Sequence, residues 1–183
     1  MDDSSDEKIS QDYRCTVASR KIIKALSEEK VQAVSLYGSD SGMIRALRKK
    51  QKLEQDIQKI DPNEEAEPKQ IDSEILFNLQ LANVVTVLSP IGLYGTYDRE
   101  VLLDVDMTAV MISNSIDAKY LILPLENGAS LSLKDLEDVN SGVALSSDVK
   151  LLLAKGIAKV AIIDLLEPDA ILNSVFNSEI VGA

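Results

Sequence analysis

Aliphatic residues recur along this chain in two rhythms that take turns. Between Ser19 and Ala33, Ile22, Ile23, Leu26 and Val31 sit at helical spacing with charges between them, which predicts a helix. Ala33–Gly38 (AVSLYG) then reads as a short strand closed by a glycine turn, and Ser39–Leu47 (SDSGMIRAL) re-enters helix or strand. Ser73 offers an N-cap for a helix running to Leu81, with Ile75, Leu76 and Leu79 inward. Val84–Pro90 (VVTVLSP) is a buried type of strand, and residues 106–115 carry a helix that feeds the apolar strand Tyr120–Leu125. Ser132–Glu137 reads as a short capped turn or helix. A helix follows over Ser147–Lys155, capped by Ser146 or Ser147 and ended by Gly156. Lys159–Asp164 (KVAIID) is a third apolar strand, and Pro168–Phe176 a helix with proline in its first turn.

Two stretches break the alternation. Residues 1–12 are acidic and polar and are expected to form a disordered tail ahead of a single domain over 13–183. Residues 58–72 hold two of the five prolines and a cluster of acids, so a loop is expected there. Helices alternating with aliphatic strands predict a three-layer α/β/α domain with a mostly parallel sheet. There is no internal repeat.

Composition narrows the chemistry. The 183 residues carry a formal charge of −11, which argues against nucleic acid and against an anionic membrane surface. Arg45–Lys52 (RALRKKQK) is a local basic run, read as a solvated helix face continuing into a loop. Aromatics are only 4%, with no Trp, so the core has to be built from aliphatic side chains. There is no histidine and one cysteine, Cys15, which removes Ser-His-Asp and Cys-His catalysis and thiol or imidazole zinc sites. Carboxylate sites for magnesium stay open. The amino terminus is unlike a signal or transit peptide and no apolar run has the length of a membrane span, so a cytoplasmic protein is expected.

Three segments, in order, carry a resemblance. They are Ala33–Ala46 (AVSLYGSDSGMIRA); Val84–Gly92 (VVTVLSPIG) with Leu102–Gly128; and Ser141–Phe176, which contains KVAIID. Arg14-Cys15-Thr16 sits where the same pattern has Arg-Val-Thr. Together they resemble the amino-acid kinase family in its N-acetylglutamate kinase branch, across nearly all of residues 14–183. The family's N-terminal strands, with a first lysine and two glycine turns, have no counterpart in the matched segments.

The resemblance implies phosphoryl transfer from ATP–magnesium to a carboxylate, a reaction that rests on positioning and on neutralising the phosphoryl oxygens. It implies roles residue by residue. Asp106 falls on the organising aspartate. Arg14, Gly92 and Asp104 fall at the substrate, with Asp104 replacing an asparagine. Glu126, Gly128 and Lys150 fall near the nucleotide. Two replacements count against catalysis. Leu102 stands where an asparagine would bind substrate, and leucine has no hydrogen-bonding group. Ser146 stands near the second lysine with Asp148 close by, and Lys150 is displaced from it by about one helical turn. A plainer reading holds for each. Asp104 and Asp106 beside a helix start act as cap and dipole partners, with a magnesium-binding pair as the sharper alternative. Ser89–Gly92 is a strand terminator and turn. Gly38, Gly42, Gly92 and Gly128 are turn glycines, and Arg14 is a surface arginine.

Three functions compete on this reading. The favoured one is a non-catalytic or regulatory domain, requiring no cofactor and working through a protein partner or a homo-oligomer that covers an exposed sheet edge. The second is an acetylglutamate kinase-type phosphotransferase using ATP and magnesium, or a fragment of one. The third is a sensor for a small amino-acid ligand.

Overall fold

A computed structural model describes residues 3–47, 66–95, 99–125, 160–164 and 169. The chain divides into two compact units, Met1–Val105 and Asp106–Ala183, where the sequence reading has one domain.

In the first unit, α1 runs from Asp3 to Glu28. The expected tail is therefore helical from residue 3 onward. No Gly or Pro occurs before Gly38, so nothing in the backbone interrupts the helix once it has begun. The predicted helix is also displaced at its far end, because Ala33 opens the strand β1, Ala33–Tyr37. Of the predicted inward stripe, Ile23 and Leu26 are half-buried, while Ile22 and Val31 are exposed. A single 3-10 turn, Asp40–Gly42, leads into β2, Ile44–Leu47, where buried Ile44 and Ala46 alternate with exposed Arg45 and Leu47. Arg45 therefore belongs to a strand and not to the basic helix face expected over 45–52, of which residues 48–52 lie outside the described ones.

The expected loop at 58–72 is corrected over its second half. Glu67–Ile71 forms β3, antiparallel to β2 with a register shift between Arg45 and Ala46; residues 58–65 lie outside the described ones. Pro68 fits there because β3 is an edge strand, where a missing amide costs no ladder bond on the solvent side. Helix α2, Glu74–Leu81, buries Leu76 and half-buries Ile75 and Leu79 as the spacing predicts; Asp72 Oδ1 accepts from the Glu74 amide at 3.1 Å. Strand β4, Val85–Ser89, lies parallel to β1 from Ala33↔Val85 to Tyr37↔Ser89. Strand β4 ends at Ser89, as the Ser-Pro-Ile-Gly stretch predicts, and after Pro90 the chain enters β5, Ile91–Tyr94, in the other sheet. Strand β6, Arg99–Leu102, pairs antiparallel with β5, and the small sheet has the order β3-β2-β5-β6. Ile44 in β2 is fully buried, as are Met43 just before β2 and Leu103 just after β6.

The second unit contains α3, Val105–Ser115, whose Met107, Thr108, Val110 and Ser113 are buried, together with the parallel pair β7, Leu121–Leu125, and β8, Val160–Asp164. Across the described residues the strand pairs β1–β4, β2–β5 and β7–β8 are parallel, while β2–β3 and β5–β6 are antiparallel. The helices expected over 132–137, 147–155 and 168–176 lie outside the described residues.

The three α-helices among the described residues end alike. Lys30, Asn83 and Asp117 have φ of 60°, 57° and 52°, and each next residue turns its amide back across the helix end: Val31 to Leu26 O at 2.9 Å, Val84 to Leu79 O at 2.9 Å, Ala118 to Ser113 O at 2.8 Å. This is the left-handed cap that usually takes glycine. It sends α1 into β1, α2 into β4 and α3 into β7.

Candidate functional site

The carboxyl ends of β1 and β4 lie side by side at Tyr37 and Ser89, and beyond them four pieces of backbone converge. The Gly38 amide donates to Ser89 O at 3.1 Å, and Gly38 O accepts from the Ile44 amide at 2.7 Å. A Cβ on Gly38 would stand 2.6 Å from Ile91 O, so only glycine lets these chains approach. A Cβ on Gly92 would stand 3.0 Å from Ile44 O and 3.0 Å from both Leu103 methyls. Leu103 in turn donates its amide to Pro90 O at 2.9 Å, and the following Asp104 amide donates to Ala66 O at 2.9 Å. Residues Ser89–Gly92 and Leu103 are thereby drawn into one corner, with half-buried Asp104 next along the chain. In open α/β sheets, ligands bind outside the carboxyl ends of parallel strands, which is where this corner lies.

Hydroxyls border the corner on the α1 side. Thr16 Oγ1 and the Tyr37 hydroxyl are 2.6 Å apart, and Ser19 Oγ and Ser89 Oγ, both buried, are 3.3 Å apart. On the β6 side Ser39 Oγ donates to Glu100 Oε1 at 2.9 Å, and Asp40 Oδ2 closes the intervening turn by accepting from the Tyr37 amide at 2.7 Å. At the opposite, amino end of β1 there is an open hollow of about 410 Å³, lined by Ile23, Ser27, Lys30, Val31, Gln32 and Ala33. Lys30 is the cationic side chain among its described lining residues, and the hollow lies at the end of β1 opposite the glycine corner.

The sequence-derived residues fall as follows. Gly92 pairs with Val101 across β5–β6, and Asp104 follows Leu103, whose amide donates to Pro90 O. Arg14 is exposed on α1, one half-turn before Thr16. Asp104 immediately precedes α3 and Asp106 lies in its first turn, where carboxylates are stabilised by the positive end of the helix dipole. Glu126, Gly128 and Lys150 lie outside the described residues, as does Ser146. No group of three or more His, Cys, Asp or Glu side chains able to hold a metal occurs among the described residues. Likewise no helix among them is long and apolar enough to cross a membrane. The sequence reading missed Gly38 as a packing requirement, taking it for a turn, and missed Ser19, Ser89, Thr16 and Tyr37. Nothing local marks a serine that will face another serine seventy positions away.

No protein-family model matches the chain. The acetylglutamate kinase of Symbiobacterium thermophilum is 26% identical over 98% of this chain and 68% of its own length. That of Methanococcus maripaludis is 27% identical over 88% of this chain and 62% of its own. Among solved structures, N-acetylglutamate synthase from Neisseria gonorrhoeae, complexed with coenzyme A and N-acetyl-glutamate, superposes with a TM-score of 0.67 at 20% identity, covering 94% of this chain and 41% of that one. An isopentenyl phosphate kinase superposes with a TM-score of 0.59 at 19% identity, over 92% of this chain and 65% of that one. The chain thus spans part of the length of each of these four proteins. With its parallel β1–β4 pair, SPIG turn and α3 start in the order read from the sequence, the chain resembles the acetylglutamate kinases and has the amino-acid kinase fold.

Proposed function

We propose that this chain is a non-catalytic acetylglutamate-kinase-like domain that keeps a small-ligand corner at the carboxyl ends of β1 and β4 and works through a protein partner or a second copy of itself. The observation that carries this reading is Leu102. It ends β6, paired with Ile91 beside the Ser89–Gly92 turn, and it is aliphatic where the resemblance calls for a substrate-binding asparagine. A side chain with no donor or acceptor cannot orient an amide or a carboxylate. The sequence adds Ser146 in place of a lysine, which removes a cation from a reaction that depends on neutralising phosphoryl charge.

Calorimetric titration with N-acetylglutamate and separately with ATP–magnesium, combined with a hydroxamate assay for acyl phosphate, tests the proposal. Weak or absent nucleotide binding and no acyl phosphate are expected. Tight ATP–magnesium binding with steady turnover would overturn it.

A second reading, an active carboxylate kinase, is favoured by the similarity to acetylglutamate kinases over 98% of the chain and by Asp106 in the first turn of α3. Turnover that Asp106→Asn abolishes while the fold stays intact would support it.

A further inference from the structure

Helix α2 is apolar on both faces. It packs on β4, with Leu76 buried and Ile75 and Leu79 half-buried. The opposite stripe, Glu74, Phe77, Asn78 and Leu81, is exposed, with Phe77 at 51% and Leu81 at 67%. Single apolar residues are ordinary at a surface, but a helix that is apolar all round is one covered on both sides. Phe77 is one of the chain's two phenylalanines, and aromatic side chains are enriched at interfaces. Past the left-handed residue Asn83 the chain reaches Val85, 41% exposed, whose amide donates to Gln32 O at 2.9 Å, next to exposed Val31. Charge sets this stretch apart as well. Charged residues make up 27% of the chain, yet none occurs from Ile75 through Tyr97.

We infer that the outer stripe of α2 is the surface on which a second copy of this chain docks, the two α2 helices lying antiparallel across a two-fold axis. Charge selects this occupant. Each copy carries −11, so two copies repel wherever their acids oppose and meet closely only over a neutral surface. A foreign protein steered by charge would be drawn to the acidic surface instead. The symmetry also suits the helix. With the axis level with Leu79, Phe77 lies against Leu81 of the partner subunit and Leu81 against Phe77 of the partner subunit, one contact made twice. Glu74, the one charge in α2, then stands about 7.5 Å from that level and about 15 Å from Glu74 of the partner subunit. That exceeds the roughly 8 Å over which charges interact at physiological ionic strength. Few side chains take part, so the dimer belongs to the weak class, with a dissociation constant on the order of 10 to 100 µM. It gives the second copy invoked above a surface, and rests on that reading for its role but not for its existence.

Sedimentation equilibrium on the full chain, from about 5 to about 500 µM, reads the dimer directly. The average mass should rise with concentration from that of one chain towards that of two. A chain that stays monomeric throughout overturns the dimer and leaves the face to a different protein. Phe77→Glu and Leu81→Lys, each alone, should weaken association by about thirtyfold or more. Asn78→Lys, which sets two ammonium groups close to the axis without removing an apolar group, should also weaken it, so a failure of either other variant to fold leaves the question decidable. Mixed with one another, the Phe77→Glu and Leu81→Lys chains should associate at least about tenfold more tightly than either does alone. In that pair one new carboxylate faces one new ammonium while the second contact stays apolar. A mixture no tighter than its components overturns the antiparallel pairing, and a dimer that none of the three changes weakens lies elsewhere and overturns the proposal. Sedimentation reads no catalysis. Acyl phosphate formation would therefore sink the non-catalytic reading and leave the dimer standing, and a monomer here leaves the ligand corner untouched.

Discussion

The two ends of the β1–β4 pair are built from opposite materials. At the amino end the chain enters each strand through a left-handed residue that is not glycine, Lys30 before β1 and Asn83 before β4. At the carboxyl end it leaves β1 through Gly38 and passes β4 into Gly92, neither of which has a positive φ. At the two strand entries, Lys30 and Asn83, backbone conformation would favour glycine and glycine is absent. Where neighbouring chains press in, it is present. The difference shows that the carboxyl end is limited by space and the amino end only by torsion, a milder constraint. Tight convergence of backbone amides and carbonyls is also what gives the carboxyl end its candidate site.

Substitutions at the two ends should differ in sign as well as in size. The largest effect is expected for Gly38→Val, because its Cβ would meet the Ile91 carbonyl oxygen at 2.6 Å and backbone cannot swing away. A loss of about 3 kcal/mol or more, in the range of severe overpacking, should appear in denaturant unfolding. A near-neutral result would break the idea that the corner is limited by space. Gly92→Ala should cost less, about 1–3 kcal/mol, because two of its three close neighbours are methyls of Leu103 that can shift. Adding Leu103→Val to Gly92→Ala makes room and sharpens the test: the two losses should sum to less than additivity requires.

At the amino end the expected change is a gain. Lys30→Gly relieves a left-handed lysine costing roughly 1–2 kcal/mol and adds the entropy cost of glycine, leaving a net stabilisation of about 0.5 kcal/mol or somewhat more. A measurable rise in thermal midpoint is the readout. Asn83→Gly should move it least, by a few tenths of a kcal/mol, since asparagine already tolerates this region. Destabilisation by either change would show that these side chains make contacts that outweigh the torsion.

Much of the architecture is legible in residues that act locally. Strands β1, β4, β7 and β8 are aliphatic runs of the kind expected of strands flanked by helices, and α2 and α3 follow from helical spacing behind Ser73 and beside Asp106. Other elements have no such signature. Strand β3 is EPKQI and β6 is REVL; both lie at the edges of their sheet and owe their conformation to partners, Ile44–Leu47 for the one and Ile91–Tyr94 for the other. The helix ends were unreadable for a related reason, because Lys30, Asn83 and Asp117 are not the glycine that marks a left-handed cap. Of the candidate site, Gly92 and Asp104 were legible through the family resemblance, while the hydroxyls of Thr16, Ser19, Tyr37 and Ser89 were not.

Local sequence by itself determined the alternation of helix and strand, the aliphatic make-up of the core, and the absence of histidine, which removes Ser-His-Asp and Cys-His catalysis. It also carried the ordered segments by which the chain resembles the acetylglutamate kinases. Tertiary structure alone decided that Gly38 faces the Ile91 carbonyl, that Ser19 meets Ser89, and that a proline-containing acidic stretch ends as a strand. Those outcomes depend on which distant backbone arrives beside each residue. Periodicity reports which face of an element is apolar, but it carries no information about what that face will meet.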